Sequence, residues 1–363
     1  MQNKNEYTEY QRKRIEFRFS VFMGKIKHVS SCPFCKQETL ELKNKEYGGN
    51  MELLKPDYYD EFTCIADKCT ISCCREWKIN IDDETYRNWK TIQPPSEVPG
   101  HRSCLQAYTM KKDGSRIMKM TEEHDCPFLA KNRLCYLVSA YGDSMLSETC
   151  QIFPREIHEF QDHKEATMMP CCPAVLDIWK EKKRIAFPET PKEKEQPLFL
   201  VRRKVMDLIM DPEKTPEETL LESFYVLKEL HRNTPLTTEL VEDYFSEKTI
   251  HQLERAISEM DLPVLDTMDE CNELLQDLAV NYWKEGLYRK YLEPVTELAE
   301  ELSEEYEEEE MTEAWEDFYR ELRAYENLLR SFLTNEVYSD LLTSEGDLED
   351  ALVHMQWIGM EYA

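Results

Sequence analysis

Apolar and polar positions change rhythm twice along the chain. From residue 191 onward the rhythm is helical. Leu220, Leu221, Phe224, Tyr225 and Leu227 recur near steps of three and four, and so do Trp315, Phe318, Tyr319, Leu322, Tyr325 and Leu329. Pro188, Pro191, Pro212, Pro216, Pro235, Pro263 and Pro294 punctuate this stretch and predict helix boundaries. Residues 51–190 show shorter, mixed patterns. Asp82 stands where its carboxylate can cap a helix over 83–89. Asp113-Gly114 separates two β-capable runs, Leu105–Met110 and Arg116–Met120, and predicts a hairpin. Residues 133–141 and 174–183 read as helices. Residues 1–50 resemble neither region: a short helix over 10–22, one Cys-x-x-Cys (Cys32, Cys35), then a break at Gly48-Gly49-Asn50.

These patterns predict a mainly α protein in three parts. Residues 1–50 are an N-terminal extension, or sequence upstream of a start at Met51; both remain open. Residues 51–190 are a cysteine-rich metal-binding and catalytic region with short β-hairpin elements. Residues 191–363 are an acidic, all-α helical domain.

Composition narrows the function. Hydrophobic residues make up 41% of the 363, enough for a core, yet no run of eighteen apolar residues exists, so no transmembrane segment is predicted. The first residues lack the apolar stretch of a secretion signal, which predicts a cytoplasmic protein with reduced thiols. Thirteen cysteines, an odd number, argue against a closed disulfide framework. The net charge of −28 argues against a nucleic-acid partner, because phosphate binding needs a positive surface. It would draw in a basic group such as a lysine side chain, and it also keeps acidic helices solvated. The run Glu300–Glu310 reads as such a solvated face.

The remaining chemistry lies in cysteine. Ten of the thirteen fall within residues 51–190, so this region and not the helical half is the candidate site. The core is Cys64-x4-Cys69-x3-Cys73-Cys74, followed by Cys126, Cys135, Cys150 and Cys171-Cys172. Thiolates are soft ligands that favour zinc or iron–sulfur clusters. Cys69 and Cys73 would share one face of a helical turn, whereas Cys73 and Cys74 cannot point the same way in regular structure. The spacing is not that of a zinc finger, nor the full pattern of radical enzymes that use S-adenosylmethionine. Cys104 and Cys171 are expected to be dispensable, and Cys271 structural. His101 and His124 are weaker ligand candidates. Trp77 either shields a metal site or packs in the core. Arg155 either pairs with a carboxylate of a cofactor or substrate or forms a structural salt bridge. Tyr58, Tyr59 and Asp60 either orient an amine or serve packing and capping. No GxSxG, P-loop or HExxH occurs, which leaves hydrolase and NTPase readings without support.

The residues that carry a resemblance are ordered. Tyr58-Tyr59-Asp60-Glu61-Phe62-Thr63-Cys64 leads to Cys69 and Cys73-Cys74-Arg75-Glu76-Trp77. Asp125-Cys126-Pro127-Phe128-Leu129, Arg133-Leu134-Cys135, Leu146-Ser147-Glu148-Thr149-Cys150, Phe153-Pro154-Arg155 and Cys172-Pro173 follow. This block, about 51–180, resembles the flagellin lysine-N-methylase family. Glu326-Asn327-Leu328-Leu329 resembles a segment of that family's C-terminal half, and the family usually begins near the position of Met51. The resemblance implies a cytoplasmic protein-lysine N-methyltransferase acting on flagellin, with S-adenosyl-L-methionine as methyl donor and a [4Fe-4S] cluster. Carried over position by position, the metal ligands would be drawn from Cys64, Cys69, Cys73, Cys74, Cys126, Cys135, Cys150 and Cys172. Which four bind stays open, and eight would suffice for two sites. With nine glycines and no GxG, nothing in the sequence marks a nucleotide-binding turn, so the donor rests on the resemblance alone. Similar cysteine patterns occur in small metal-binding proteins of no assigned activity. The alternative is therefore an iron–sulfur or zinc protein of redox or structural role without transferase activity.

Overall fold

The computed structural model describes residues 51–112, 114–190, 193, 195–259, 264–284, 287–305 and 308–362; for 264–269, 301–305 and 308–311 it describes the backbone alone. The expected helix over 10–22 and the Cys32–Cys35 pair lie outside the described residues.

The cysteine-rich region opens with strand β1, Glu52–Leu54. Helix α1, Asp83–Asn88, begins where the cap predicts: the Asp82 carboxylate accepts from the Thr85 amide at 2.8 Å. Such a cap contributes about 1 kcal/mol. The second Asp82 oxygen accepts the Glu148 amide at 3.0 Å. Burial alone would raise this carboxyl, but the two amides outweigh it and hold it below the usual range.

The expected hairpin forms from β2, Thr109–Lys112, and β3, Ser115–Met118, with Lys112 opposite Ser115. Gly114 takes the left-handed backbone (φ +80°) that the turn requires. The first run is shorter than predicted. Leu105–Tyr108 is a 3₁₀ turn, because Leu105 and Tyr108 are both buried on the core side and the Tyr108 hydroxyl donates to Pro99. Helix α2, Tyr136–Tyr141, starts three residues later than the pattern suggests, since Arg133 is left-handed (φ 68°) and Cys135 is extended.

Helix α3, Glu148–Ile152, is capped by Ser147. Strands β4, Arg155–Glu159, and β5, His163–Met168, pair antiparallel, and β1 joins β5 in parallel to give the order β1-β5-β4. This three-stranded sheet was not anticipated. Helix α4, Pro173–Lys182, follows with proline in its first turn.

The helical half contains α5 (Pro197–Ile209), α6 (Pro216–Arg232), α7 (Thr238–Tyr244), α8 (Glu247–Ser258), α9 (Val264–Lys284), α10 (Arg289–Glu305), α11 (Glu308–Leu322), α12 (Glu326–Asp340) and α13 (Leu348–Tyr362). Thr215 and Glu218 form a reciprocal capping box around Pro216. Pro294 departs from its predicted role: it lies inside α10 and ends no helix. It is exposed there, where water can satisfy the carbonyl it leaves free.

Three hydrophobic cores lie among the described residues, none of them drawing on α9, α10 or α11. One lies among α5, α6, α12 and α13, around Val201, Val205, Leu227, Leu333 and Val337. A second lies under the cysteine-rich segment, around Ile79, Trp89, Leu105 and Phe128. The third joins the two regions: Tyr58, Met168, Val175 and Trp179 pack with Leu328 and Phe332 of α12. Arg202 of α5 reinforces that junction. It forms two 2.6 Å bonds to Glu165 of β5 and a third, 2.9 Å, to the Tyr338 carbonyl of α12. The described residues, 51–362, fall within one compact unit. No described helix is long and apolar enough to cross a membrane.

Candidate functional site

The eight candidate ligands come from five short segments, 64–74 and those around Cys126, Cys135, Cys150 and Cys172. Cys69 ends a 3₁₀ turn over 66–68 and is itself extended (φ −64°, ψ 130°). The helical turn expected across Cys69 and Cys73 is therefore absent, and a loop brings the two together. Cys73 and Cys74 occupy a tight turn and share a side-chain hydrogen bond, which regular structure would not allow. The Cys126 amide donates to the Cys74 carbonyl at 2.7 Å, and the Arg75–Asp125 bridge fixes these segments side by side. Cys135 stands just before α2, Cys150 lies in α3, and Cys172 stands just before α4.

Their sulfurs form one continuous set. Cys69 lies within electrostatic reach of Cys64 and Cys73. Cys74 hydrogen-bonds Cys126 as well as Cys73 and feels Cys150. Cys135 and Cys150 both feel Cys73, and Cys172 feels Cys69 and Cys64. All are free thiols. Cys104 does not enter the set, and Cys271 is exposed on α9.

Hydrogen bonding to Cys74 and then burial push the Cys73 thiol far up. The bond to Cys126 does the same for Cys74, and burial raises Cys150 to about 11. Part of Cys73 reaches solvent, but its sulfur is packed among its neighbours. Without a cation Cys73, Cys74 and Cys150 stay protonated, whereas a soft metal would deprotonate them outright. Donor type and neighbourhood thus fit a soft metal centre. The thiols are gathered but not closed: among the described residues no three His, Cys, Asp or Glu side chains stand ready to hold a metal ion.

Groups flanking the thiols take defined places. The Trp77 indole donates to the Cys73 carbonyl and packs on Phe153 at 5.5 Å. Arg133 donates to the Cys69 carbonyl. Arg155 forms no salt bridge among the described residues; its guanidinium lies 5.0 Å from the Phe62 ring and 5.6 Å from Tyr59. Tyr58 is buried, whereas Asp60 is exposed and pairs with Lys55. His101 and His124 both occupy left-handed backbone.

A second constellation adjoins the first, and no sequence motif announced it. Glu156 and His158 alternate onto one face of β4, opposite Thr167 and Glu165 of β5. Helix α12 presents Asn335, Glu336, Ser339 and Asp340 toward them, at the i, i+4 spacing of one helical face. The Ser339 hydroxyl lies 3.0 Å from both His158 Nε2 and Thr167 Oγ1. The Asn335 amide donates to Glu336 at 3.0 Å. No ion pair of the described residues reaches Glu156, Glu336, Asp340 or Glu361.

Burial, then the charge of Asp340, lifts Glu156 to about 8. The same causes lift Glu336 well above the carboxylate range and Glu361 to about 7. Burial lowers His158 and favours its neutral form. From buried Glu336 the cluster reaches solvent at exposed Glu361. Cys171 links the two constellations. It feels Cys172 on one side and Glu156 and Glu336 on the other, and burial with these charges raises it to about 12. The available sequence signal was the polar run Asn335-Glu336 and Ser339-Asp340 inside a helix whose Leu333, Val337 and Leu341 are core residues.

Residues 202–363 match the family described as the FliB lysine N-methylase C-terminal domain. Lysine-N-methylases of Salmonella choleraesuis and Salmonella typhimurium are each 27% identical over 164 residues, which is 42% of this chain and 40% of theirs. The flagellar biosynthetic protein FliU of Salmonella muenchen is 25% identical over 132 residues, 33% of this chain and 72% of that protein. The match thus spans about two fifths of the length of the lysine-N-methylases. No solved structure matches. Over residues 202–363 the chain is thus FliB-like, at modest identity to these relatives. The family match falls on the half that carries Glu336 and Asp340, whereas the sequence resemblance rested chiefly on the cysteine block.

Proposed function

We propose that this chain is a protein-lysine N-methyltransferase acting on flagellin, with S-adenosylmethionine as donor and an iron–sulfur centre among the eight thiols. The family match supports the lysine reading. The observation that carries it is the buried carboxylate cluster, which no lysine or arginine pairs with among the described residues and which adjoins the thiols. Burial and mutual repulsion keep such a cluster protonated, and a cation that enters it lets its carboxyls ionise. A lysine ammonium entering past Glu361 supplies that cation.

The amine must be neutral before it attacks. Its lone pair forms the new N–C bond while the methyl–sulfur bond of the donor breaks, leaving the thioether. Neutral His158, held by Ser339, would take the amine's proton. The guanidinium of Arg155, without a carboxylate partner, fits the carboxylate of the donor's methionine end. Four of the eight thiols would ligate a cluster, which would supply a soft, oxygen-sensitive centre beside this site.

The test pairs two measurements. Anaerobically purified protein should be brown and bleach with dithionite, and labelled S-adenosylmethionine should label lysines of unmodified flagellin. Stoichiometric zinc in a colourless protein would remove the cluster. An intact cluster without label would favour a redox or structural metal protein, the reading that the lack of a glycine-rich turn supports.

A further inference from the structure

We infer that a clasp at Glu76 ties helices α9–α11 to the cysteine turn and that metal on the thiols keeps it closed; the metal dependence rests on the metal centre proposed above. Helices α9–α11 form an arm with contacts of its own. Gln276 of α9 donates to the Thr296 carbonyl of α10 at 3.4 Å and to Glu300 at 3.1 Å, and the Tyr282 and Tyr288 rings meet edge to face at 5.0 Å. None of the three hydrophobic cores draws on these helices, so single polar contacts weigh more in placing them. Glu76 makes such a contact. Its side chain is buried and both carboxylate oxygens are used: one accepts the Tyr288 amide at 3.0 Å and the other pairs with Lys290 at 3.0 Å. Tyr288 and Lys290 stand at the start of α10.

The clasp is strained. Glu76, His124 and Tyr288 all take left-handed backbone (φ 61°, 59° and 57°), which a Cβ disfavours. They are joined in series: the Glu76 amide donates to the His124 carbonyl at 3.1 Å, and the Glu76 carboxylate accepts the Tyr288 amide. Such residues persist only where their surroundings hold them, and they gather at sites that switch. Two candidate ligands flank the first two. Cys74 precedes Glu76 by two residues, Cys126 follows His124 by two, and the Cys126 amide donates to the Cys74 carbonyl at 2.7 Å. The Cys126–Cys74 and Glu76–His124 bonds are successive rungs of one short ladder, with Arg75 paired to Asp125 between them. A metal on both thiols cross-links the ladder at one end and holds the strained backbone at the other. Loss of that link lets Glu76 relax to ordinary backbone, which turns its carboxylate away from Tyr288 and Lys290 and frees the arm.

Amide hydrogen exchange of the full chain, read by mass spectrometry, tests both parts, with α12 as the internal reference. Stripping metal with a chelator should speed exchange over residues 287–295 by about tenfold and leave α12 protected. Glycine suits left-handed backbone, so Glu76→Gly deletes the carboxylate and keeps the turn. This variant should hold full metal by elemental analysis, exchange fast over 287–295, and no longer respond to the chelator. Lys290→Met, which removes the ion pair but leaves the Tyr288 bond, should fall between the two. Exchange over 287–295 that ignores the chelator in the native chain overturns the metal dependence. Native-like protection there in metal-loaded Glu76→Gly overturns the clasp. If the native chain takes up neither iron nor zinc on anaerobic reconstitution, the metal-centre reading fails and the metal dependence with it, and the comparison of Glu76→Gly with the native chain still decides the clasp.

Discussion

The Tyr58 hydroxyl donates to the side-chain oxygen of Asn335 at 2.5 Å, joining residues 277 positions apart. Asn335 in turn donates to the Met168 carbonyl at 3.2 Å and to Glu336 at 3.0 Å. One amide therefore ties the start of the cysteine block, strand β5 and helix α12. Both residues are fully buried, so neither can exchange its partner for water. Tyr58→Phe leaves the Asn335 oxygen unsatisfied and should cost about 1–3 kcal/mol. Denaturant titration of Tyr58→Phe, Asn335→Leu and the double variant should show non-additivity; strictly additive losses would mean the bond contributes nothing of its own.

The Glu165–Arg202 pair makes a second junction, with both side chains about 1% exposed. Removing one partner strands a buried charge, which typically costs 3–5 kcal/mol. Arg202→Met should therefore destabilise strongly, and Arg202→Met/Glu165→Leu should recover much of the loss. A double variant no more stable than the single would show that packing of the long arginine, not the charge, holds β5 to α5.

Much of this architecture could be read from the chain. The Asp82 cap, the hairpin at Gly114 and the helical half all follow from local pattern. Local pattern could not give the sheet, because β1 pairs with β5 across more than a hundred residues. It also could not place Glu156 and His158. A charged strand residue reads as solvent-facing until a partner helix is known to cover it, and here the cover comes from α12. The cysteines were legible as a set because their type is rare. Their route to proximity was not, since Cys69 and Cys73 meet through a loop.

Stability should depend on pH through the carboxylate cluster. Glu156 in the folded chain holds its proton up to about 8, well above its ordinary value, through burial and then the charge of Asp340. The folded state therefore binds this proton more tightly than the unfolded state. Its contribution is complete below the ordinary carboxylate range and is lost as pH rises toward 8. Glu156→Gln removes this residue's share of the dependence, leaving that of Glu336 and Glu361. Its Tm relative to the native chain should rise steadily from pH 5 to pH 8, and a constant difference would show that Glu156 titrates normally.

Metal content should discriminate among the cysteines by their place in the set. Cys74 is its hub, with side-chain bonds to Cys73 and Cys126 and Cys150 in reach. Cys74→Ser and Cys150→Ser should each abolish metal loading. Cys104→Ser, outside the set, and Cys271→Ser, exposed on α9, should leave it intact. Cys171 is the informative case. It borders the thiols through Cys172 but faces Glu156 and Glu336. Cys171→Ser should retain full metal by elemental analysis while lowering methyl transfer to lysine, because it perturbs the carboxylate side alone. Loss of metal in that variant would make Cys171 a ligand and merge the two constellations into one centre.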